Sequence, residues 1–139
     1  MRLVLDTSVA VKWALPEPDS PKALILRDEF VAKIHELIAP DTFPLEVSQV
    51  LVRAERRGLL KPGEAKLKIA DVFSTSPDLH AYLPLLARAI EIATAARIAV
   101  YDCVFVALAE RENCDLVTAD VKLKNALPNA PIVLLSDLP

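Results

Sequence analysis

Residues 3–15 read LVLDTSVAVKWAL, and this stretch decides the class of fold. Leu3, Val4 and Leu5 form a short apolar run that ends at Asp6-Thr7-Ser8, after which apolar residues recur helically through Ala10, Val11, Ala14 and Leu15 until Pro16. The pattern predicts a strand, a turn and a helix, with an acid at the strand's carboxyl end.

The same alternation continues along the chain. Pro16, Pro18 and Pro21 punctuate a loop, and Ser20 stands where it can cap a helix carrying Ala23, Leu24, Leu26, Phe30, Val31, Ile34 and Leu37. Ile38-Ala39 leads into Asp41-Thr42 as a short strand and a cap. Residues 43–58, FPLEVSQVLVRAERRG, set Phe43, Val47, Val50, Leu51 and Ala54 on one stripe and close with arginines and Gly58, as helix ends prefer. A further helix is expected from Pro62 to Phe73, a strand from Leu79 to Leu83, and a helix from Leu85 to Ala96 with Leu86, Ala89, Ile90 and Ala93 inward. The run VYDCVFVALAE, residues 100–110, reads as another helix; Leu116 to Thr118 reads as a strand, followed by a short helix after Asp120. Ile132 to Leu135 is an unbroken aliphatic run typical of a buried parallel strand. Strands alternating with helices predict an α/β sandwich with a largely parallel central sheet, whose ligands sit beyond the carboxyl ends of the strands. Asp6 and Asp120 follow short strands and Asp102 opens a helix, so all three can project into one crevice.

Composition bounds the function. With 139 residues, 53% hydrophobic and 25% charged, the chain suits one globular domain over residues 1–139. The longest charge-free run, Asn125 to Ser136, contains two prolines and falls short of the ~20 residues that span a bilayer. The amino end meets Asp6 after only three apolar residues, against the roughly 7–15 of a signal peptide, which predicts a cytoplasmic protein. Cys103 and Cys114 lack C-x-x-C spacing and read as reduced thiols, and His35 and His80 stand alone, so zinc is not expected. Only Gly58 and Gly63 occur, which excludes G-x-G-x-x-G, P-loop and G-x-S-x-G sites. A net charge of −3 and a pI near 5.4 argue against a general basic coat, so any contact with nucleic acid must be local.

Each acid taken singly has an ordinary explanation. Asp6, Asp102 and Asp120 could each cap a helix, worth ~1 kcal/mol, and Glu46 is a first-turn acid at the edge of its helix stripe. Thr118 and Ser8 would by default be satisfied strand and turn hydroxyls. Together, however, LVLDTS, PLEVSQVL, VYDCVFVALAE and LVTAD in this order resemble the PIN-domain ribonucleases, most closely the VapC-type toxins of toxin–antitoxin pairs, over essentially the whole chain.

The resemblance implies a PIN-like three-layer sandwich. It matches Asp6 to the first-strand aspartate, Glu46 to the third-helix glutamate, Asp102 to the aspartate of the late helix and Asp120 to the acid of the T-x-D motif. Thr118 and Ser8 are then the hydroxyls that support the acids. It further implies hydrolysis of RNA to a 5′-phosphate and a 3′-hydroxyl, a small VapB-like antitoxin and a homodimer. Four converging carboxylates repel one another unless a cation neutralises them, and an all-oxygen site suits Mg²⁺ or Mn²⁺, which activates water toward a phosphate. Arg53, Arg56, Arg57 and Lys61 follow Glu46 and are either phosphate guides or a solvated helix end. Two other readings remain open at this level: a PIN nuclease of RNA processing outside any toxin pair, and a receiver-like signalling module that binds Mg²⁺ without cutting RNA.

Overall fold

A computed structural model describes residues 1–139. Strand β1 (Arg2–Leu5) runs into helix α1 (Thr7–Ala10), which tightens into a 3₁₀ turn over Val11–Trp13. Then come α2 (Ser20–Val31), β2 (Glu36–Pro40), α3 (Phe43–Arg56), α4 (Glu64–Phe73) and β3 (Asp78–His80). The second half holds α5 (Leu86–Ala96), α6 (Val100–Glu112), β4 (Asp115–Thr118), α7 (Val121–Ala126) and β5 (Ile132–Leu134). The five strands form one sheet in the order β3-β2-β1-β4-β5, and every neighbouring pair is parallel. A receiver-like sheet would run 2-1-3-4-5, so this order excludes that alternative.

Val4, Leu5, Leu37, Ile38, Leu116 and Val117 are fully buried, as successive residues of a strand can be only when helices cover both faces. The three-layer α/β sandwich read from the sequence is the observed architecture. Helix α6 lies at its heart. Cys103 through Ala109 are all buried, so the helix has no solvent stripe, and it closes at Asn113 in the left-handed region (φ 54°). Phe43, Val47, Leu51 and Ala54 form the inward stripe of α3, as expected. Leucine and valine on such faces gain roughly 1.5–3 kcal/mol each on burial.

Four local expectations are corrected. Helix α2 stops at Val31 because Lys33 turns left-handed (φ 63°), so Ile34 is 59% exposed and Leu37 belongs to β2. Ser20 does not cap α2; its hydroxyl donates to the Leu15 carbonyl and accepts from the Glu17 amide, tying the proline loop to the helix. The strand expected to reach Leu83 ends at His80, and Leu83–Leu85 turn as a 3₁₀ helix around Pro84. On α5, Ala89 and Ile92 point inward and Ile90 faces solvent. Helix α4 starts at Glu64, behind Gly63, whose φ of 84° only glycine adopts at no steric cost. Cys103 and Cys114 are free thiols, and burial pushes Cys103 up to about 11, which keeps it protonated. No single helix is long and apolar enough to cross a membrane.

The strand order places the site. From β1 the chain builds outward to β2 and β3, then returns to the other side of β1 for β4 and β5. Connections therefore diverge between β1 and β4, and a crevice opens at their carboxyl ends.

Candidate active site

Asp6 and Thr118 stand at the two edges of that crevice. The Asp6 amide donates to the Val117 carbonyl at 3.1 Å, so the acid is the last rung of the β1–β4 ladder. The residue is only 6% exposed, and its carboxylate Oδ2 accepts hydrogen bonds from the Ser8 hydroxyl and, at 2.9 Å, from the Thr118 hydroxyl. Each hydroxyl oxygen in turn accepts a backbone amide, Ser8 from Ala119 at 3.0 Å and Thr118 from Asp120 at 3.1 Å. Burial raises the Asp6 pKa above its ordinary value; the two hydroxyls oppose that rise, and the charge of Asp120 adds to it.

Asp102 is the third residue of α6, so the helix starts two places before the acid that the sequence read as opening it, and the cap position belongs to Ala99. Its pKa is pushed up to about 6, first by burial and then by the charges of Asp6 and Asp120. Glu46, the fourth residue of α3, is pushed up to about 7 by burial, against a 3.3 Å hydrogen bond from the Thr42 hydroxyl and with a further push from Asp6 and Asp102. Asp120 caps α7, accepting the Leu123 amide at 3.1 Å. Of the three aspartates with a capping explanation, only Asp120 uses its side chain that way.

All four acids line one groove of about 1050 Å³. Arg53, further along α3 from Glu46, lines it too, whereas Arg56, Arg57 and Lys61 are exposed outside its lining. Lys12 and Tyr101 are among the groove residues that escaped the sequence reading. The side chain of Lys12 is 10% exposed, and its ammonium donates to the Pro18 carbonyl at 2.7 Å, with Glu17 at 3.5 Å. A lysine inside the otherwise apolar run VAVKWAL was the available signal. Tyr101 also lines the groove, and an exposed aromatic beside Asp102 was legible only once the helix face was known. His35 pairs with Glu29 and His80 with Arg111; neither lines the groove. A smaller hollow of about 400 Å³ lies at the opposite, amino ends of β1 and β4, where Arg2 and Glu112 already neutralise one another at 2.8 Å.

No three His, Cys, Asp or Glu side chains form a ready-made cage for one ion. The acids nevertheless offer carboxylate oxygens and no softer donor. Mg²⁺ ordinarily takes one or two carboxylates and keeps its waters, so this donor set fits a hydrated hard cation.

The raised pKa values make stability depend on pH. Asp102 and Glu46 bind protons more tightly in the fold than at their ordinary values of 3.8 and 4.5, so their stabilising contribution is complete below those values and is lost as pH rises through about 6 and 7. Metal-free protein should therefore melt several degrees higher near pH 5 than near pH 8, with the partial exposure of both acids moderating the effect. Thermal melts in EDTA across that range test this; a Tm that rises with pH would contradict the burial and crowding of these acids.

Residues 3–126 match the family model described as the PIN domain. Over 130 residues the chain is 32% identical to Ribonuclease VapC3 of Pyrobaculum aerophilum, an alignment covering 92% of this chain and 96% of that protein. The crystal structure of PAE2754 from Pyrobaculum aerophilum superposes with a TM-score of 0.72 at 19% identity, covering 98% of this chain and 90% of that one. VapBC2 from Rickettsia felis, bound to a DNA fragment from their promoter, gives 0.69 at 20% identity, covering 96% and 98%. At those identities the two structures speak for the fold, while the family model and the VapC3 alignment reach further. The chain belongs to the PIN-domain family, in the company of the VapC-type proteins.

Proposed function

We propose that the chain is a Mg²⁺- or Mn²⁺-dependent endoribonuclease, acting in the cytoplasm as the toxin of a type II toxin–antitoxin pair, as a homodimer silenced by a small VapB-like antitoxin. The observation that carries this reading is the convergence of Asp6, Glu46, Asp102 and Asp120 on one groove, in a chain 32% identical to a protein named a ribonuclease. A divalent cation held by these four acids would supply the charge that activates water and screens the phosphoryl oxygens of the scissile bond. The chain's own residues set the stage. Ser8 and Thr118 fix the Asp6 carboxylate in one orientation and staple β1 to β4. Burial, with the charges of the neighbouring acids adding to it, makes Glu46 and Asp102 hold protons more readily, so a cation would compete with protons for the same oxygens. Arg53 supplies local positive charge on a net-acidic protein, at the groove where the RNA backbone must lie.

Incubation of the purified protein with mixed cellular RNA in Mg²⁺ tests the proposal, with product ends as the readout. Attack by water leaves a 5′-phosphate and a 3′-hydroxyl. A 2′,3′-cyclic phosphate would mean attack by the ribose hydroxyl and would overturn this chemistry.

The basic residues separate in the same way. Arg53→Ala should weaken RNA binding and lower the salt slope by about one, while Arg57→Ala, outside the groove, should leave the slope at the wild-type value. Equal slopes in wild type and Arg53→Ala would reduce Arg53 to a solvated helix-end charge.

A further inference from the structure

Tyr101 is the most exposed aromatic side chain of the chain, at 68%, and it lines the same groove as the four acids. It immediately precedes Asp102 on α6. Phe105, one helical repeat further on, lines the groove as well but is buried, so Tyr101 rises from an apolar footing on the face of the helix that meets the groove. Helix α3 repeats the arrangement: Leu45 is 77% exposed, lines the groove and immediately precedes Glu46. Each helical acid is thus paired in sequence with a large apolar side chain on the same groove. Burial elsewhere in the chain gives no reason for either to stay in water.

A groove with carboxylates and large apolar side chains together matches the two halves of a nucleotide. The phosphate belongs with the acids and their cation, and the base, a flat apolar face edged with polar atoms, belongs against an aromatic ring. We infer that Tyr101 is the stacking surface for an unpaired base next to the bond that is cut, with Leu45 closing the same base site from α3. Bases within a duplex stack on their neighbours and have no free face to offer, so the groove selects single-stranded RNA. The inference rests on the ribonuclease reading and adds a specificity residue to it.

Stacking on an aromatic ring is felt in proportion to the ring, carries no charge and does not release counterions. Tyr101→Ala should lower cleavage of an unpaired, mixed-sequence oligoribonucleotide pool about 10- to 100-fold, and Tyr101→Phe should restore most of it. In the Asp102→Asn background, which removes cleavage from the measurement, Tyr101→Ala should weaken binding of the same pool while leaving the salt slope unchanged. Annealing the pool to its complement should protect it from the wild-type protein. A Tyr101→Ala protein that cleaves the unpaired pool at the wild-type rate overturns the inference and leaves the residue to a protein partner. Loss of activity in Tyr101→Phe equal to that in Tyr101→Ala overturns it too, since the hydroxyl rather than the ring would then be at work. If the wild-type protein cleaves neither pool in Mg²⁺ or Mn²⁺, the ribonuclease reading fails and the inference falls with it; a failure at Tyr101 alone leaves that reading intact.

Discussion

Asp102→Asn is expected to lower RNA cleavage by at least about 10²–10³-fold, the loss typical of removing one preorganised electrostatic group from a reacting centre. The same substitution should leave the metal-free fold as stable as the wild type or more so. An aspartate that capped α6 would be replaced almost without effect by asparagine, which caps as well, and activity would survive. Asp102 is not the cap of α6, which is Ala99. Instead the charge is buried and then crowded by Asp6 and Asp120, which together push its pKa up to about 6, so a neutral amide relieves that cost and, on the proposed reading, loses a hard-cation ligand.

The other acids give a contrasting pattern on the same assays. Asp120→Asn keeps its cap to Leu123 and should fold normally while losing activity. Asp6→Asn should lose activity and also about 1–3 kcal/mol of stability, because Oδ2 accepts two buried hydroxyl bonds and an amide nitrogen turned toward them would leave a donor facing donors. Melting in EDTA and cleavage in Mg²⁺ on each variant separate these effects. An Asp102→Asn protein that cleaves RNA normally would remove the centre of the catalytic reading.

Chelation is the second large effect. Excess EDTA should reduce cleavage to background and Mn²⁺ or Mg²⁺ should restore it, since the groove holds no serine–histidine or cysteine nucleophile and, on the proposed reading, relies on water activated by a cation. The cation should also be visible without any turnover. Binding only the folded state, it stabilises by about 2.7 kcal/mol at a hundred times its Kd and should raise Tm most near neutral pH, where the acids are otherwise charged and crowded. Cleavage undiminished in chelator would end the metal-dependent mechanism, whatever became of the fold.

The fold was legible in the sequence wherever a period changed within a few residues. LVLDTSVAVKWAL announced the strand, the acid and the helical turn, and the stripe on α3 appeared where the 3.6-residue period placed it. The reading faltered at segment ends. Ile34 and Leu37 continued a helical period across Lys33, and only the left-handed backbone there shows that the helix had already ended. The four acids were legible as a set because their order along the chain carries information that no single capping motif does. Their support was less so. That Asp120 caps and Asp102 does not is a matter of a register shift of a residue or two, which periodicity does not define. Arg53 parts from Arg57 because Arg57, one turn on and on nearly the same face, stands past the helix end at Arg56 and beyond the groove's lining, and Lys12 is held beside the groove by the Glu17–Pro18 loop, which folds back over its ammonium.

The hydroxyl staple on Asp6 has a consequence for how the protein is made. Asp6 is synthesised well before the Thr118 hydroxyl that orients it, which lies 112 residues later, on a strand that cannot join the sheet before it has been translated. Asp102 and Asp120 also come from the last third of the chain. A growing chain can therefore bury β1 and pack α2 and α3 while its acids remain unassembled, and parallel pairing between such distant strands is intrinsically a late step. On the reading proposed above, the destructive activity appears only once β4 and Asp120 have been translated and joined to β1, so a nascent copy that has not reached them is harmless to the messenger and ribosome that are producing it.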